Sequence, residues 1–357
     1  MENLFQLWRL TWGASAFPAT LFAPKATRPV FATLVDPELD LPSMCLRTRR
    51  DDPSHAGTPI LIVAPFALHD SSIADFAPQH SIAETLWAAG LGPIYATQWK
   101  SATRDMRSFG IDQYLDDLCR VISHIGMPVA LVGLCQGGWL ATAFTARFPE
   151  MISALVLAGA PIDIEAASSQ ITRSLSQVSS PLISSLVRLN GGRVIGDLAL
   201  PIWSLGLDHP FDPQEALQRS DDPKLEAKAD AWNKYTVDLP GEFFLQTTEW
   251  LFRENRLARN CFPALGQVCD LQRISCPIFV LAAQDDDVVA LPQALAIKNC
   301  CTNSSVSTLI MPGRHLSLFL GRNSILNGWT KVARWLKKVA RVNRSAAQHP
   351  EAASSTA

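Results

Sequence analysis

The stretch Ala130-Leu131-Val132-Gly133-Leu134-Cys135-Gln136-Gly137-Gly138-Trp139-Leu140 limits the fold more than any other part of the chain. An apolar run suited to a strand buried on both faces leads into Gly-x-Cys-x-Gly-Gly, and a helical pattern follows from Trp139 to Arg147. A buried strand that turns straight into a helix is half of a βαβ unit, which commits its neighbours to a parallel sheet covered by helices. The turn between them is tight and strained, so small residues must flank it, and Gly133 and Gly137 stand two positions to either side of Cys135. This is the layout of a nucleophile elbow, with cysteine where most such turns carry serine. The positive end of the following helix lies beside Cys135, where negative charge on sulfur is favoured. A glycine-rich turn that merely holds a core cysteine has the same spelling, so the remaining chain must supply the partners.

It supplies the sheet first. Pro59–Ala64 is continuously apolar, as in a two-face-buried strand, and a helix is expected over Ile82–Ala89, after Ser81 and before Gly90 and Gly92. Pro93–Thr97 reads as a strand. Ile111–Ile125 reads as a helix with Leu115, Leu118, Val121 and Ile122 on one face. Ile152–Ala158 is a further strand, and this alternation predicts an α/β fold with a mostly parallel, doubly wound sheet. The rhythm breaks after Asp163. Residues 164–272, rich in Ser, Leu and Pro with Trp203, Trp232, Tyr235, Phe243, Phe244 and Trp250, are read as a mainly helical cap. Most of those aromatics are expected in the cap's own core and a minority along an acyl pocket. The sheet resumes at Pro277–Ala282 and Val306–Ile310, and a closing helix is expected over 325–342, its Lys331, Arg334, Lys337, Lys338, Arg341 and Arg344 forming a solvated face. The division expected is therefore residues 1–57 as an N-terminal helix and first strands, 58–163 and 273–342 as the two parts of the core, 164–272 as the cap, and 343–357 as a disordered tail.

Composition removes several function classes. With 48% apolar and 18% charged residues the chain can fill a core, and a formal net charge of -2 gives no electrostatic basis for binding nucleic acid or an anionic membrane. The eight cysteines form no C-x-x-C pairs and have no nearby histidines, which argues against zinc ribbons and disulfide scaffolds. No run reaches the ~18 apolar residues of a membrane span. The N-terminus lacks the pattern of a signal peptide. A reducing cytoplasmic setting is expected, one that would protect a reactive Cys135.

An elbow nucleophile needs an acid and then a histidine downstream. The acid should follow a late strand, and Ala283-Gln284-Asp285-Asp286-Asp287-Val288-Val289 does so. Ala283 at the small position of small-x-x-Asp-x-x-Val selects Asp286, with Asp285 and Asp287 as alternatives. The histidine should follow the last strand, and Met311-Pro312-Gly313-Arg314-His315 nominates His315. The oxyanion donors should be the backbone N–H of Gln136 and one from the loop Val63–His69, where Phe66 is preferred and Ala67 comes next. His69 and Asp70 in that loop are read as lining or structural groups rather than members of the triad.

With these residues in view, the chain resembles the polyhydroxyalkanoate enzymes of the α/β-hydrolase superfamily over about residues 58–340. Its elbow resembles that of the synthases. Val63-Ala64-Pro65, Gln98-Trp99-Lys100, Phe109-Gly110-Ile111-Asp112-Gln113-Tyr114, Gly159-Ala160-Pro161-Ile162-Asp163, Leu239-Pro240-Gly241-Glu242-Phe243-Phe244-Leu245-Gln246-Thr247 and the His315 loop through Arg322 are more similar to intracellular poly(3-hydroxybutyrate) depolymerases. The resemblance implies Cys135, Asp286 and His315 as nucleophile, acid and base, with no metal or redox cofactor. It implies hydrolysis of poly- or oligo(3-hydroxyalkanoate) esters through an acyl-thioester, with storage granules as a partner. Synthase-type acyl transfer from a 3-hydroxyacyl-CoA is the alternative, and a non-catalytic granule- or partner-binding relative is a second. Two departures stand out: depolymerase elbows carry a proline soon after Cys-Gln where this chain has Gly137-Gly138, and they carry Asp-Trp where it has Gln98-Trp99.

Overall fold

The computed structural model describes residues 26–35, 37–49, 57–126, 128–205, 212–218 and 221–348. The helix expected near the N-terminus and the end of the tail lie outside them. Eight strands form the main sheet: β1 (Leu39–Asp40), β2 (Met44–Arg49), β3 (Ile60–Val63), β4 (Ile94–Trp99), β5 (Val129–Leu134), β6 (Ile152–Ala158), β7 (Ile278–Ala283) and β8 (Val306–Met311). Their order is β1-β2-β4-β3-β5-β6-β7-β8. The first two pairings are antiparallel and the rest parallel. Every residue of β3, β4, β5 and β7 is buried, which is why β3, β5 and β7 read as unbroken apolar runs. β8 at the edge is only partly covered.

Successive residues of each central strand serve opposite faces, as the pleat requires. Leu61, Val63, Leu131 and Val280 join one core with α2 (Ile111–Ile125) and α3 (Gln136–Arg147). Ile60, Ile62, Val132 and Leu281 join the other with α1 (Ile82–Ala88) and α4 (Thr330–Gln348). Ser81 caps α1 by accepting from the Glu84 N–H at 2.8 Å, and Gly126, at φ 94°, ends α2. A π-helical turn, Ser324–Trp329, precedes α4. The helix then continues to Gln348, past the limit of 342 set from sequence. Ser345 bonds back to the Arg341 carbonyl at 3.1 Å and the alanine-rich end suits a helix, so the disordered tail expected from 343 is helical as far as it is described. The basic residues of this helix lie along its more exposed side.

The long insertion carries helices at Gln170–Ser176, Ser180–Leu189, Gly196–Leu205, Pro213–Ala216, Pro223–Lys234 and Gly241–Gln246, followed by a π-helical turn, Thr247–Arg253. Two short antiparallel pairs, Arg193–Val194 with Leu239–Pro240 and Phe262–Ala264 with Gln267–Cys269, interrupt them. The last part of the insertion buttresses the body. Phe243 packs on Tyr114 of α2 at 4.6 Å between ring centroids, and Phe262 packs on Trp139 of α3 at 5.6 Å.

β3 and β5 are neighbours, yet the chain leaves β3 toward β4 on one side and continues from β5 toward β6 on the other. Such a reversal opens a crevice at the carboxyl ends of the strands. Phe66, Cys135, Asp286 and His315 follow the carboxyl ends of β3, β5, β7 and β8.

Candidate active site

Cys135 sits between β5 and α3 at φ 47°, ψ -117°, a strained conformation for any residue with a side chain. Its N–H donates to the Ala158 carbonyl at 2.8 Å, and its own carbonyl accepts from Gly138 N–H at 2.8 Å. The flanking glycines are dictated by backbone proximity. A Cβ on Gly137 would stand 2.1 Å from the Val63 oxygen, and one on Gly133 would stand 2.5 Å from the Gly138 Cα. A Cβ on Gly138 would meet the Ala160 Cβ at 2.2 Å. The second glycine of the elbow is thus a packing requirement between α3 and the chain leaving β6.

Asp286 and His315 approach Cys135 from the loops that follow β7 and β8. Nδ1 of His315 lies 2.8 Å from Oδ2 of Asp286 and 3.1 Å from Oδ1, and both side chains are at most 3% exposed. Oδ1 also accepts from the N–H groups of Val288 and Val289 at 3.0 and 2.8 Å, which fixes the carboxylate. Of the three neighbouring aspartates, Asp286 is the one that meets His315. Asp287 is ion-paired to Arg314, and Asp285 is exposed. Burial alone would lower the pKa of His315. The Asp286 carboxylate and the hydrogen-bonded Cys135 sulfur outweigh it and hold the ring well above the ordinary histidine range. The imidazole therefore faces the sulfur on one side and the carboxylate on the other.

Cys135, Gln136 and His315 open onto an apolar cavity of about 110 Å³, lined also by Phe66, Ile171, Phe243, Phe244 and Val288. Phe243, Phe244 and Phe252 are the insertion aromatics that reach it. Gln136 is the first residue of α3, so its N–H has no acceptor within the helix. Phe66 is in the loop leaving β3, its ring wedged among Trp99, Tyr114 and Phe243 with centroids 5.1–5.6 Å away. That loop is tied down where Ala64 donates to Thr97 Oγ1 at 3.0 Å and accepts from Trp99 Nε1 at 2.8 Å. Ala67 lines the cavity as well. Asp70 turns away to pair with Arg28 at 2.8 Å. His69 forms part of the cavity wall, and its buried ring stacks on Trp232. Gln98 accepts from Arg47 at 2.9 Å in the edge of the sheet, so its departure from Asp-Trp leaves the cavity untouched.

A second cleft, about 320 Å³, which no sequence signal marked, is lined by the His315 loop as well. Among the described residues its ionisable lining is Asp212, Glu215, Asp287, Arg314 and His315, with Arg314 paired to both Glu215 and Asp287. No group of described residues could hold a metal ion, and no described helix is long and apolar enough to cross a membrane. All eight cysteines are free.

Comparison with known proteins adds relatives. A family profile described as PHB de-polymerase C-terminus matches residues 209–338. The Poly(3-hydroxyalkanoate) polymerase subunit PhaC of Allochromatium vinosum is 23% identical over 295 residues, spanning 80% of this chain and 82% of the relative. That of Thiocystis violacea is 22% identical over 292 residues, spanning 79% and 81%. Among solved structures, a monoacylglycerol lipase from Paleococcus ferrophilus superposes with a TM-score of 0.57 at 16% identity, covering 83% of this chain and 99% of its own. Mouse alpha/beta hydrolase domain-containing protein 10 gives 0.51 at 14% identity, covering 86% and 100%. At such identities the two structures speak to the fold alone.

Proposed function

We propose, from the α/β-hydrolase fold and the likeness to polyhydroxyalkanoate enzymes, that the chain hydrolyses short-chain poly- or oligo(3-hydroxyalkanoate) esters through an acyl-thioester on Cys135. The observation that carries the proposal is His315, bonded to Asp286 on one side and to the Cys135 sulfur on the other, at the mouth of an apolar cavity.

Each step has a group in place. With its proton passed to His315, the Cys135 sulfur attacks the ester carbonyl as thiolate, forming a C–S bond while the carbonyl oxygen takes the charge. The N–H groups of Gln136 and Phe66 receive that oxyanion, in a setting from which water is largely excluded. Collapse breaks the C–O bond, and His315 gives its proton to the departing alcohol oxygen. The ring, now neutral, takes a proton from water, whose oxygen attacks the thioester. The second tetrahedral intermediate expels the sulfur, releasing a carboxylic acid and restoring thiolate and imidazolium. Asp286 holds Nδ1–H throughout and stabilises the cation.

The cavity supports a short acyl unit, because about 110 Å³ is well below the ~300–1,000 Å³ of common ligand pockets. The net negative lining of the cleft behind His315 favours a neutral ester over the polyphosphate of a CoA thioester. Acyl transfer to a growing chain remains the second reading, because the PhaC relatives are named as polymerase subunits. Purified enzyme and Cys135→Ala should be given amorphous poly(3-hydroxybutyrate) or its oligomers, and separately 3-hydroxybutyryl-CoA. Release of 3-hydroxybutyrate from the first, abolished in the variant, is the expected result. Release of CoA with polymer growth instead would establish the second reading, and activity that survives in Cys135→Ala would remove both.

A further inference from the structure

The loop that supplies Phe66 is fastened at its far end to the insertion. Val237 N–H donates to the Leu68 carbonyl at 2.7 Å, and Trp232 Nε1 donates to the Asp70 carbonyl at 3.0 Å. His69 and Thr236 form an isolated antiparallel bridge between them. The His69 ring stacks on Trp232, with centroids 4.4 Å apart and planes 26° from parallel, and it lies against the backbone at Tyr235 and Trp232. The Trp232 carbonyl belongs to the last turn of the helix Pro223–Lys234, where carbonyls lack intrahelical donors. Burial lowers the His69 pKa to about 4, the backbone contacts opposing it, so the ring joins loop to insertion as a neutral group.

Leu68 adds a second observation. Its φ of 71° is a left-handed conformation that a leucine keeps only when contacts impose it. Phe66, two residues earlier, is buried among aromatics, and the residues just after Leu68 are held by the 232–237 segment. The backbone between these anchors is therefore set from both ends.

We propose that His69 is a positioning residue, which locks the Phe66–His69 loop to insertion residues 232–237 so that the Phe66 N–H is aimed at the oxyanion only while that part of the insertion is seated. The proposal rests on the reading of Cys135 as an acyl-forming nucleophile. Its consequence is an order of events. An insertion that lifts to admit a polymer strand unfastens the donor, and its return both closes the cavity and completes the oxyanion site.

The test separates the donor from the nucleophile. Full-length wild type, His69→Ala, His69→Gln and Trp232→Phe are assayed with p-nitrophenyl 3-hydroxybutyrate for kcat and KM. In parallel, iodoacetamide alkylation of Cys135 is followed by peptide mass spectrometry. Alkylation needs the sulfur and His315 but no oxyanion donor. A misaimed donor predicts a kcat lower by about 10- to 100-fold in His69→Ala, with KM little changed and the Cys135 labelling rate unchanged. His69→Gln, which keeps a donor for the backbone, recovers part of the loss. Trp232→Phe, which keeps the stack and loses one hydrogen bond, shows a smaller drop in the same direction. Unchanged kcat in His69→Ala overturns the proposal, and so does a parallel fall in kcat and labelling, which would mark a general loosening of the site. A wild type that labels at Cys135 but turns over no ester defeats the hydrolytic reading, and the proposal falls with it.

Discussion

Replacing Asp286 by asparagine changes one heavy atom and tests how protons are managed at the site. Oδ1 of Asp286 accepts from two backbone N–H groups, at 3.0 and 2.8 Å, while Oδ2 faces His315 Nδ1 at 2.8 Å. Those two donors dictate how an asparagine must sit. Its carbonyl oxygen takes the Oδ1 place, because an amide NH2 there would confront two N–H groups. The amide nitrogen then occupies the Oδ2 place and donates to Nδ1. His315 is left with its proton on Nε2, pointing at Cys135, unable to act as a base and without a counter-charge as a cation. In a serine triad the equivalent exchange lowers kcat about 10⁴-fold, which corresponds to roughly 5 kcal/mol of barrier. A thiol is intrinsically the better nucleophile, so about 10³- to 10⁴-fold is expected here. Single-turnover release of p-nitrophenol from p-nitrophenyl 3-hydroxybutyrate reads the acylation rate directly. The melting temperature should stay close to wild type because the bonds to Val288 and Val289 survive. An Asp286→Asn enzyme that keeps more than a tenth of the rate would refute the reasoning. So would an equal loss in Asp287→Asn, since that carboxylate is engaged by Arg314.

Three other outcomes follow from the same geometry. Gly137→Ala forces a Cβ to 2.1 Å from the Val63 carbonyl, a backbone atom that cannot yield cheaply, so a loss of about 3 kcal/mol or more is expected, seen by calorimetry as a fall of roughly 6 °C or more in melting temperature; an unshifted Tm would show that the turn can relax. His69 has its folded pKa depressed to about 4 from an unfolded value near 6.5, so the unfolded chain binds the extra proton across that interval and stability falls as pH drops through it, by about 3 kcal/mol in total. Urea midpoints at pH 7 and pH 4 should differ less in His69→Gln than in wild type, and equal differences would place the acid sensitivity elsewhere. Ile171→Ala enlarges the small cavity beside Cys135, and the ratio of kcat/KM for 3-hydroxyhexanoyl over 3-hydroxybutyryl esters should rise by roughly 10-fold or more; an unchanged ratio would mean the acyl chain lies elsewhere.

The strands that carry the site were the legible part of the chain. β3, β5, β6 and β7 are buried on both faces, so their residues had no polar alternation to confuse the reading. Gly133, Gly137 and Cys135 stood out because a strained turn tolerates few residue types. His315 could be nominated by position alone, since it follows the last strand. The choice of Asp286 over its neighbours needed a spacing argument, and the coordinates add what spacing lacks: Arg314 engages Asp287, and backbone donors orient Asp286. The insertion was far less readable. Its helices pack against distant parts of the chain, as Phe243 does on Tyr114 and Trp232 does on His69, and such long-range contacts leave no local period. His69 carries no sequence signal beyond its place in a loop, and its stacking on Trp232 and the bridge to Thr236 are long-range contacts of the same kind. Gly138 looked like a clue to the reaction, but its contact with Ala160 gives it a packing role.

The proposed mechanism passes through a covalent acyl group on Cys135. Rapid acid quench of enzyme mixed with a 3-hydroxybutyrate oligomer ester, followed by peptide mass spectrometry, looks for it directly. The expected result is one hydroxybutyryl group on the peptide that contains Cys135, released by hydroxylamine and absent from Cys135→Ala. Turnover with no adduct on that peptide, or with the acyl group on another residue, would contradict the account.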